Sequence, residues 1–251
     1  MADTTAVESV PAPDSGPERG FFQHLGGLFF SPRQEFPSIL KRPRFWIPAL
    51  ALMAVNIAFT GVWLSKVDAV EFMRTQIEES PRADRLTPEQ KERAIEQQAK
   101  MFPIFAWFVP VVFIPLLIVV VGSLCFFLFR FFYGSDLTFG QSLSVTAWSY
   151  LVVSLVQVPL MLLVMALKGE WSIDPNMALQ ANLSILLDKA TAAKPLWSLF
   201  ASLDLFSFWT IFLLATGYAV ASRRPTSSAV AGIVGLWAIY VLGKVALSAI
   251  F

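Results

Sequence analysis

The chain is 251 residues long, 56% hydrophobic and only 15% charged, with a mean hydropathy of +0.62. A soluble domain carries roughly 45–50% apolar and about 25% charged residues, so this balance excludes an ordinary soluble fold and indicates one polytopic membrane domain. A net charge of +1 gives no basis for binding nucleic acid, and one cysteine, Cys125, excludes a disulfide framework or a cysteine-rich metal site.

Residues 1–19 carry Asp3, Glu8, Asp14, Glu18 and three prolines. They lack the apolar core of a secretory signal and are expected to be a disordered polar tail. The membrane domain then runs over 20–251. It opens with GFFQHLGGLFFSPRQEFPSILKRPRFW (20–46), where Phe21, Phe22, Leu25, Leu28 and Phe29 recur at roughly helical spacing ahead of Lys41, Arg42 and Arg44. This reads as an amphipathic segment lying on the membrane surface, with its basic residues against lipid headgroups. Gly26-Gly27 and Pro32 disfavour one long straight helix. The alternative is a docked or re-entrant segment.

A helix needs about 20 apolar residues to cross a hydrocarbon layer about 30 Å thick. Five stretches qualify, at about 45–65, 104–129, 143–167, 196–222 and 227–251. Lipid offers backbone amides no partner, so each is expected as a continuous helix. Tryptophans fall mostly near the predicted ends, as interfacial anchors do. Pro110, Pro115 and Pro159 are expected to kink the second and third spans. Between the first two spans, the mixed-charge stretch 66–102 predicts an extramembrane helical hairpin. Thr87 is a good N-cap, Pro88 suits the first helical position, and Gln90 closes a capping box. The loop 168–195 predicts short helices on the same side.

Basic clusters near span ends set orientation. Lys41, Arg42 and Arg44 precede the first span, Arg130 ends the second, and Arg223 and Arg224 fill the turn between the last two. All fall on one side, expected to be cytoplasmic, which puts the N-terminus in the cytoplasm and the C-terminus outside. The hairpin and the 168–195 loop carry more Lys and Arg in total, interleaved with acids; the tight clusters decide the assignment.

Asp204 and Lys244 are charges inside apolar runs. Each lies 20 residues from Arg224, so at 1.5 Å per residue both sit about 30 Å from the turn, near the far hydrocarbon boundary. There a charge costs less than the roughly 2.5–3.5 kcal/mol of the bilayer centre. An intramembrane charge pair, direct or through water, is expected; alternatively Lys244 snorkels to headgroups and Asp204 faces polar groups elsewhere. The same two spans carry small-xxx-small pairs expected as helix-packing faces: Ala215 and Ala219, Gly217 and Ala221, Ser228 and Gly232, Ala231 and Gly235. His24 is the only histidine, and HExxH, Walker A and Gly-x-Ser-x-Gly patterns are all missing. No catalytic residue, cofactor or metal is expected. Asn56, Gln157 and Ser149 read as interhelical hydrogen-bonding groups.

Several stretches, taken in order, resemble the bacterial branch of the Yip family (Ypt/Rab-interacting-protein domain, Yip-one type). They are LFFSPRQEFPSILKRPRFWIPAL, LTPEQKERAIEQQAKMF, LTFGQSLSVTAWSYL, SLFASLDLFSFWTIFLLATGYAVASRR and AVAGIVGLWAIYVLGKVAL, with SLDLFSFW (202–209) the sharpest. The resemblance implies five spans, a cytoplasmic N-terminus and roles without catalysis. Eukaryotic members act in vesicle traffic with small GTPases; bacterial members look like accessory membrane proteins, some associated with ABC-type exporters. The eukaryotic Asp-Leu-Tyr-Gly-Pro motif is absent here, with only Asp204-Leu205-Phe206 similar, so a small GTPase partner is not expected. The expected function is a non-enzymatic scaffold or accessory subunit in the bacterial cytoplasmic membrane, binding another membrane protein or itself. The competing reading is a transporter or channel using Asp204, Asn56, Gln157 and Lys244.

Overall fold

The computed structural model describes residues 19–80, 83–179, 181–188 and 191–250. The tail expected over 1–19 lies outside the described residues except for Arg19. Among the described residues the fold is all-α, with no sheet and one isolated β-bridge. In chain order the helices are α1 (Phe21–Phe30), α2 (Pro32–Lys41), α3 (Trp46–Leu64), α4 (Ala69–Glu78), α5 (Pro88–Phe108), α6 (Ile114–Phe127), α7 (Phe139–Lys168), α8 (Pro175–Ala178), α9 (Lys194–Ser202), α10 (Leu205–Ser222) and α11 (Thr226–Ile250). Five rods are long and apolar enough to cross a membrane: α3, the continuous rod Pro88–Phe132, α7, α10 and α11. The protein is therefore a multi-spanning integral membrane protein. One face of the bundle carries α1, α2 and the α10–α11 turn, and is called the amino-terminal face; the hairpin face carries α4 and the segment 169–202.

The expectation of a surface-lying amino-terminal segment is corrected by the packing of α2. Ser31 ends α1 with φ −149° and ψ 59°, and Pro32 opens α2 at the first helical position, where no amide donor is needed. α2 then packs along α10 and α7, burying Phe36, Ile39 and Leu40 in the bundle core. The fit depends on Gly217: a Cβ there would lie 2.5 Å from Val145 Cγ1 and 2.8 Å from Phe36 Cζ. Phe29 meets Trp209 with ring centroids 5.8 Å apart. Gly217 and Trp209 lie five and thirteen residues inside the α10 terminus at Ser222, about 8 and 20 Å along its axis. The α1–α2 pair is thus a re-entrant wedge. The apolar face of α2 is satisfied by protein side chains, whereas Phe22 and Phe30 of α1 stay exposed.

Glu35 on this wedge is only 1% exposed. A buried carboxylate requires charged or hydrogen-bonding partners, and it has two. Arg19 donates to Oε2, and His24 Nδ1 lies 2.6 Å from Oε1. A Cβ on Gly27 would lie 2.1 Å from Glu35 Oε2, so this glycine makes room for the carboxylate and lets α1 close onto α2.

The hairpin forms by local signals. Asp68 caps α4 by accepting from the amides of Val70 and Glu71, and Thr87 and Gln90 complete the capping box of α5. Arg74 ties the arms with 2.5 and 3.0 Å bonds to Glu92. Glu92 lies in the polar first half of α5, outside the apolar stretch, and the hydrogen bond from Arg74 holds its carboxyl below the usual range. That depressed value means the tie is intact above the ordinary carboxylate range and is lost as pH falls through the lowered one. Trp63 of α3 anchors the hairpin: it meets Phe72 and Phe102 edge-on at 5.4 and 5.2 Å, and donates from Nε1 to the Trp171 carbonyl at 3.0 Å. α5 runs into α6 through a π segment, Val109–Phe113, that contains Pro110. The expected span 104–129 thus lies inside one longer rod that begins in the hairpin. The fourth differs more: the expected helix 196–222 is broken between Ser202 and Leu205.

Gly217→Ala is expected to destabilise the bundle by about 1–3 kcal/mol through overpacking, whereas Gly235→Ala, which meets nothing within 4 Å, should stay within about 0.5 kcal/mol. Unfolding in mild detergent reads both. Phe36→Ala should cost less in the Gly217→Ala background than alone.

Candidate functional site

The break in the fourth span explains the acidic residue within it. A helix that starts inside apolar surroundings needs acceptors for its first amides. Asp204 supplies one: Oδ1 accepts from the amides of Phe206 and Ser207 at 2.9 Å each, and Ser207 Oγ donates to Oδ2. The helix N-terminus in turn stabilises the carboxylate. The other loose groups are stitched to the hairpin-face loop. Leu183 N donates to the Leu203 carbonyl at 3.2 Å, and Leu205 N to the Ala181 carbonyl at 3.1 Å, forming the Asn182–Asp204 bridge.

Beside this break lies a cleft of about 940 Å³ between α3, α6, α7, α10 and α11. Asp204, Lys244, Asn56 and Gln157 all line it. Lys244 Nζ donates to Ser202 Oγ at 3.1 Å, and Asn56 Nδ2 donates to Ser154 Oγ of α7 at 3.3 Å. The direct form of the expected Asp204–Lys244 pair is corrected: among the described residues no ion pair joins them. The carboxylate is turned to the start of α10, and Lys244 is engaged by Ser202. The two charges share a cleft without touching.

The amino-terminal half of the bundle is packed solid. Tyr218 is fully buried. Its hydroxyl lies 2.6 Å from Ser142 Oγ and 3.0 Å from Thr146 Oγ1, and its ring stacks on Phe129 at 4.9 Å. Ser142 Oγ donates to the Gly122 carbonyl at 2.6 Å, tying α7 to α6. Here too the second span meets the last one: Tyr133 Oη donates to the Ser228 carbonyl at 3.1 Å, and Gly232 fits beneath Leu128 and Tyr133. Towards the hairpin face, α6 and α11 separate, and the cleft opens sideways between them.

With this geometry in hand, comparison with known proteins is informative. A family model described as Yip1 domain matches residues 26–247. The chain belongs to the Yip1-domain family. The Yip1 domain so defined takes in most of the re-entrant wedge, all five spans, the broken fourth span and Lys244. Neither curated proteins nor solved structures give a match. Among the described residues of this Yip1 domain, no group of three or more His, Cys, Asp and Glu side chains could hold a metal ion.

The small residues of the last two spans differ in what they face. Ala215, Gly217 and Ala219 are buried, with Gly217 opening towards α2 and α7. Ala221 and Ser228 are half-buried and Gly232 is buried against the second span, while Ala231 and Gly235 lie on an exposed face of α11. At the two buried glycines the approaching side chains are Phe36 and Val145 at Gly217 and Leu128 and Tyr133 at Gly232. Lys41, Arg42, Arg44, Arg223 and Arg224 are exposed on the amino-terminal face, where Arg224 donates to the Tyr133 carbonyl. Sequence reasoning missed Glu35, Ser202, Asn182 and Tyr218. The first three are polar residues beside breaks; Tyr218 is the lone tyrosine of α10.

Asp204→Ala should cost about 1 kcal/mol of stability through the lost cap, and Asp204→Asn only a few tenths, since Asn caps equally well. Denaturation in detergent micelles checks the order.

Proposed function

We propose that this Yip1-domain protein is a non-enzymatic accessory or scaffold subunit that binds another membrane protein, with an ABC-type exporter as the expected kind of partner. The observation that carries the reading is the exposed face of α11. This span packs on α9 and α10, leaving Ala231, Val234, Gly235, Ile239 and Leu242 exposed. Small residues on such a face let a second helix approach closely in lipid, where no hydrophobic effect drives association. The occupant is a partner protein or a second copy. A small GTPase does not enter this reading, since the eukaryotic motif is missing. Residence in a bacterial cytoplasmic membrane rests on the family resemblance. A cytoplasmic N-terminus is supported by the basic residues gathered on the amino-terminal face.

The transporter reading gains one observation: Asp204, Asn56, Gln157 and Lys244 all line one cleft. It also needs a way through the amino-terminal half, where Tyr218, Phe129 and Phe36 are fully buried. The accessory reading requires no such opening.

Photo-crosslinking in native membranes tests the proposal. A crosslinker at position 235 is expected to capture a membrane protein, while one at buried position 229 captures none. If gentle extraction returns only uncrosslinked protein from both, the scaffold reading fails. Solute flux in liposomes that disappears in Asp204→Asn would establish the transporter reading instead. Tags on the two chain ends should label on opposite sides of intact cells, the amino-terminal one inside.

A further inference from the structure

We infer that the cleft between α6 and α11 holds one phospholipid with a phosphate–ammonium headgroup, the phosphate on Lys244 and the primary ammonium towards Asp204. The inference concerns the cleft and is independent of the partner reading of α11.

The cleft is reached from the side of the bundle. α6 and α11 are joined near the amino-terminal face by Tyr133, Leu128 and Gly232. Further along, cleft-lining residues on both helices are exposed, Leu124 by 52% and Tyr240 by 65%. Both positions lie inside apolar spanning helices. The cleft therefore opens sideways into hydrocarbon, and what enters from there is lipid.

The cleft changes polarity along its length. Its walls from α6 and α11 are apolar, with Leu117, Val120 and Leu124 from α6 and Ile233 and Leu236 from α11, while Asn56 and Gln157 face it from α3 and α7. Its polar groups at the hairpin-face end are Lys244, Ser202, Asp204 and Asn182. Lys244 lies 18 residues after Thr226, about 27 Å along α11, close to the far edge of a hydrocarbon layer about 30 Å thick. A phospholipid changes from chain to phosphate at that depth. The volume of about 940 Å³ lies at the upper end of the roughly 300–1,000 Å³ of ligand cavities.

The cleft also carries two opposite charges with bonding capacity to spare. Lys244 has three donors and uses one on Ser202. Asp204 uses Oδ1 on two amides and accepts one hydroxyl at Oδ2, which leaves that oxygen room for another donor. One cation and one anion thus line a single cleft without touching. A simple anion on Lys244 would face the carboxylate, and a neutral lipid would answer neither charge. A phosphate–ammonium head answers both. A primary ammonium can donate to Asp204 Oδ2, whereas a quaternary one cannot.

Native mass spectrometry of the full chain, released from nanodiscs containing phosphatidylethanolamine, phosphatidylcholine and phosphatidylglycerol in equal amounts, tests this. One phosphatidylethanolamine per chain is expected to survive release. Lys244→Met should lower its retention about tenfold, the loss of one charge-assisted contact. Asp204→Asn, which keeps the helix cap, should remove the preference among headgroups while some lipid is still retained. Val120→Trp, on an exposed wall position, should displace all three lipids and leave the melting temperature unchanged. Equal retention of the three lipids by the unaltered protein would overturn the proposal. So would retention indifferent to both Lys244→Met and Val120→Trp, which would mark the lipid as ordinary annular lipid.

Discussion

A carboxylate that accepts two backbone amides at the start of α10 governs the upper half of this bundle. In hydrocarbon, an unpaired amide is more costly than a well-held charge. Asp204 therefore permits what an apolar residue could not, a helix that ends and restarts within the fourth span. Asn182 and its neighbours complete the arrangement by pairing with the freed backbone groups on either side. From this follow the displacement of α9 along α11, the placing of Ser202 beneath Lys244, and the cleft itself.

The two halves of the bundle answer the same constraint differently. Near the amino-terminal face, Ser142, Thr146 and Tyr218 satisfy one another inside a tightly packed core, and α1 and α2 fill the remaining space as a wedge. Near the hairpin face, polar side chains line open volume. Charged groups inside the fold are treated differently in each half. Buried Glu35 is held by exposed Arg19 and half-buried His24; half-buried Asp204 and exposed Lys244 are left apart. One end of the bundle is thus closed and the other opens laterally.

Much of this was legible in the sequence, for identifiable reasons. Twenty-residue apolar runs can do little else in water or lipid, so the five spans are readable. Thr87, Pro88 and Gln90 fix the start of α5 locally. The wedge was not readable in the same way, because an amphipathic helix lying in the headgroup layer and one sunk in a protein groove show the same periodicity; only Phe36 meeting Gly217, 181 residues away, decides. Spacing likewise identified Gly217 and Gly232 as packing positions but could not say which helix would approach them. Asp204 was conspicuous, and its cap is local to Phe206 and Ser207; the break it permits was not legible, because the backbone on either side is paired by Ala181 and Leu183, from a loop that carries no pattern of its own. Glu35 escaped notice because it sits among polar neighbours that look solvated.

The second rod has a mechanical corollary. It is one uninterrupted helix of 45 residues, about 68 Å long, whose tip is clasped to α4 by Arg74 and Glu92 and whose far portion, α6, is a jamb of the cleft. Two wide π turns, Val109–Phe113 and Leu128–Phe132, bracket that jamb; such turns are where long helices yield. Force applied to the hairpin is thus delivered, as by a crank handle, to the one wall whose position sets the width of the doorway.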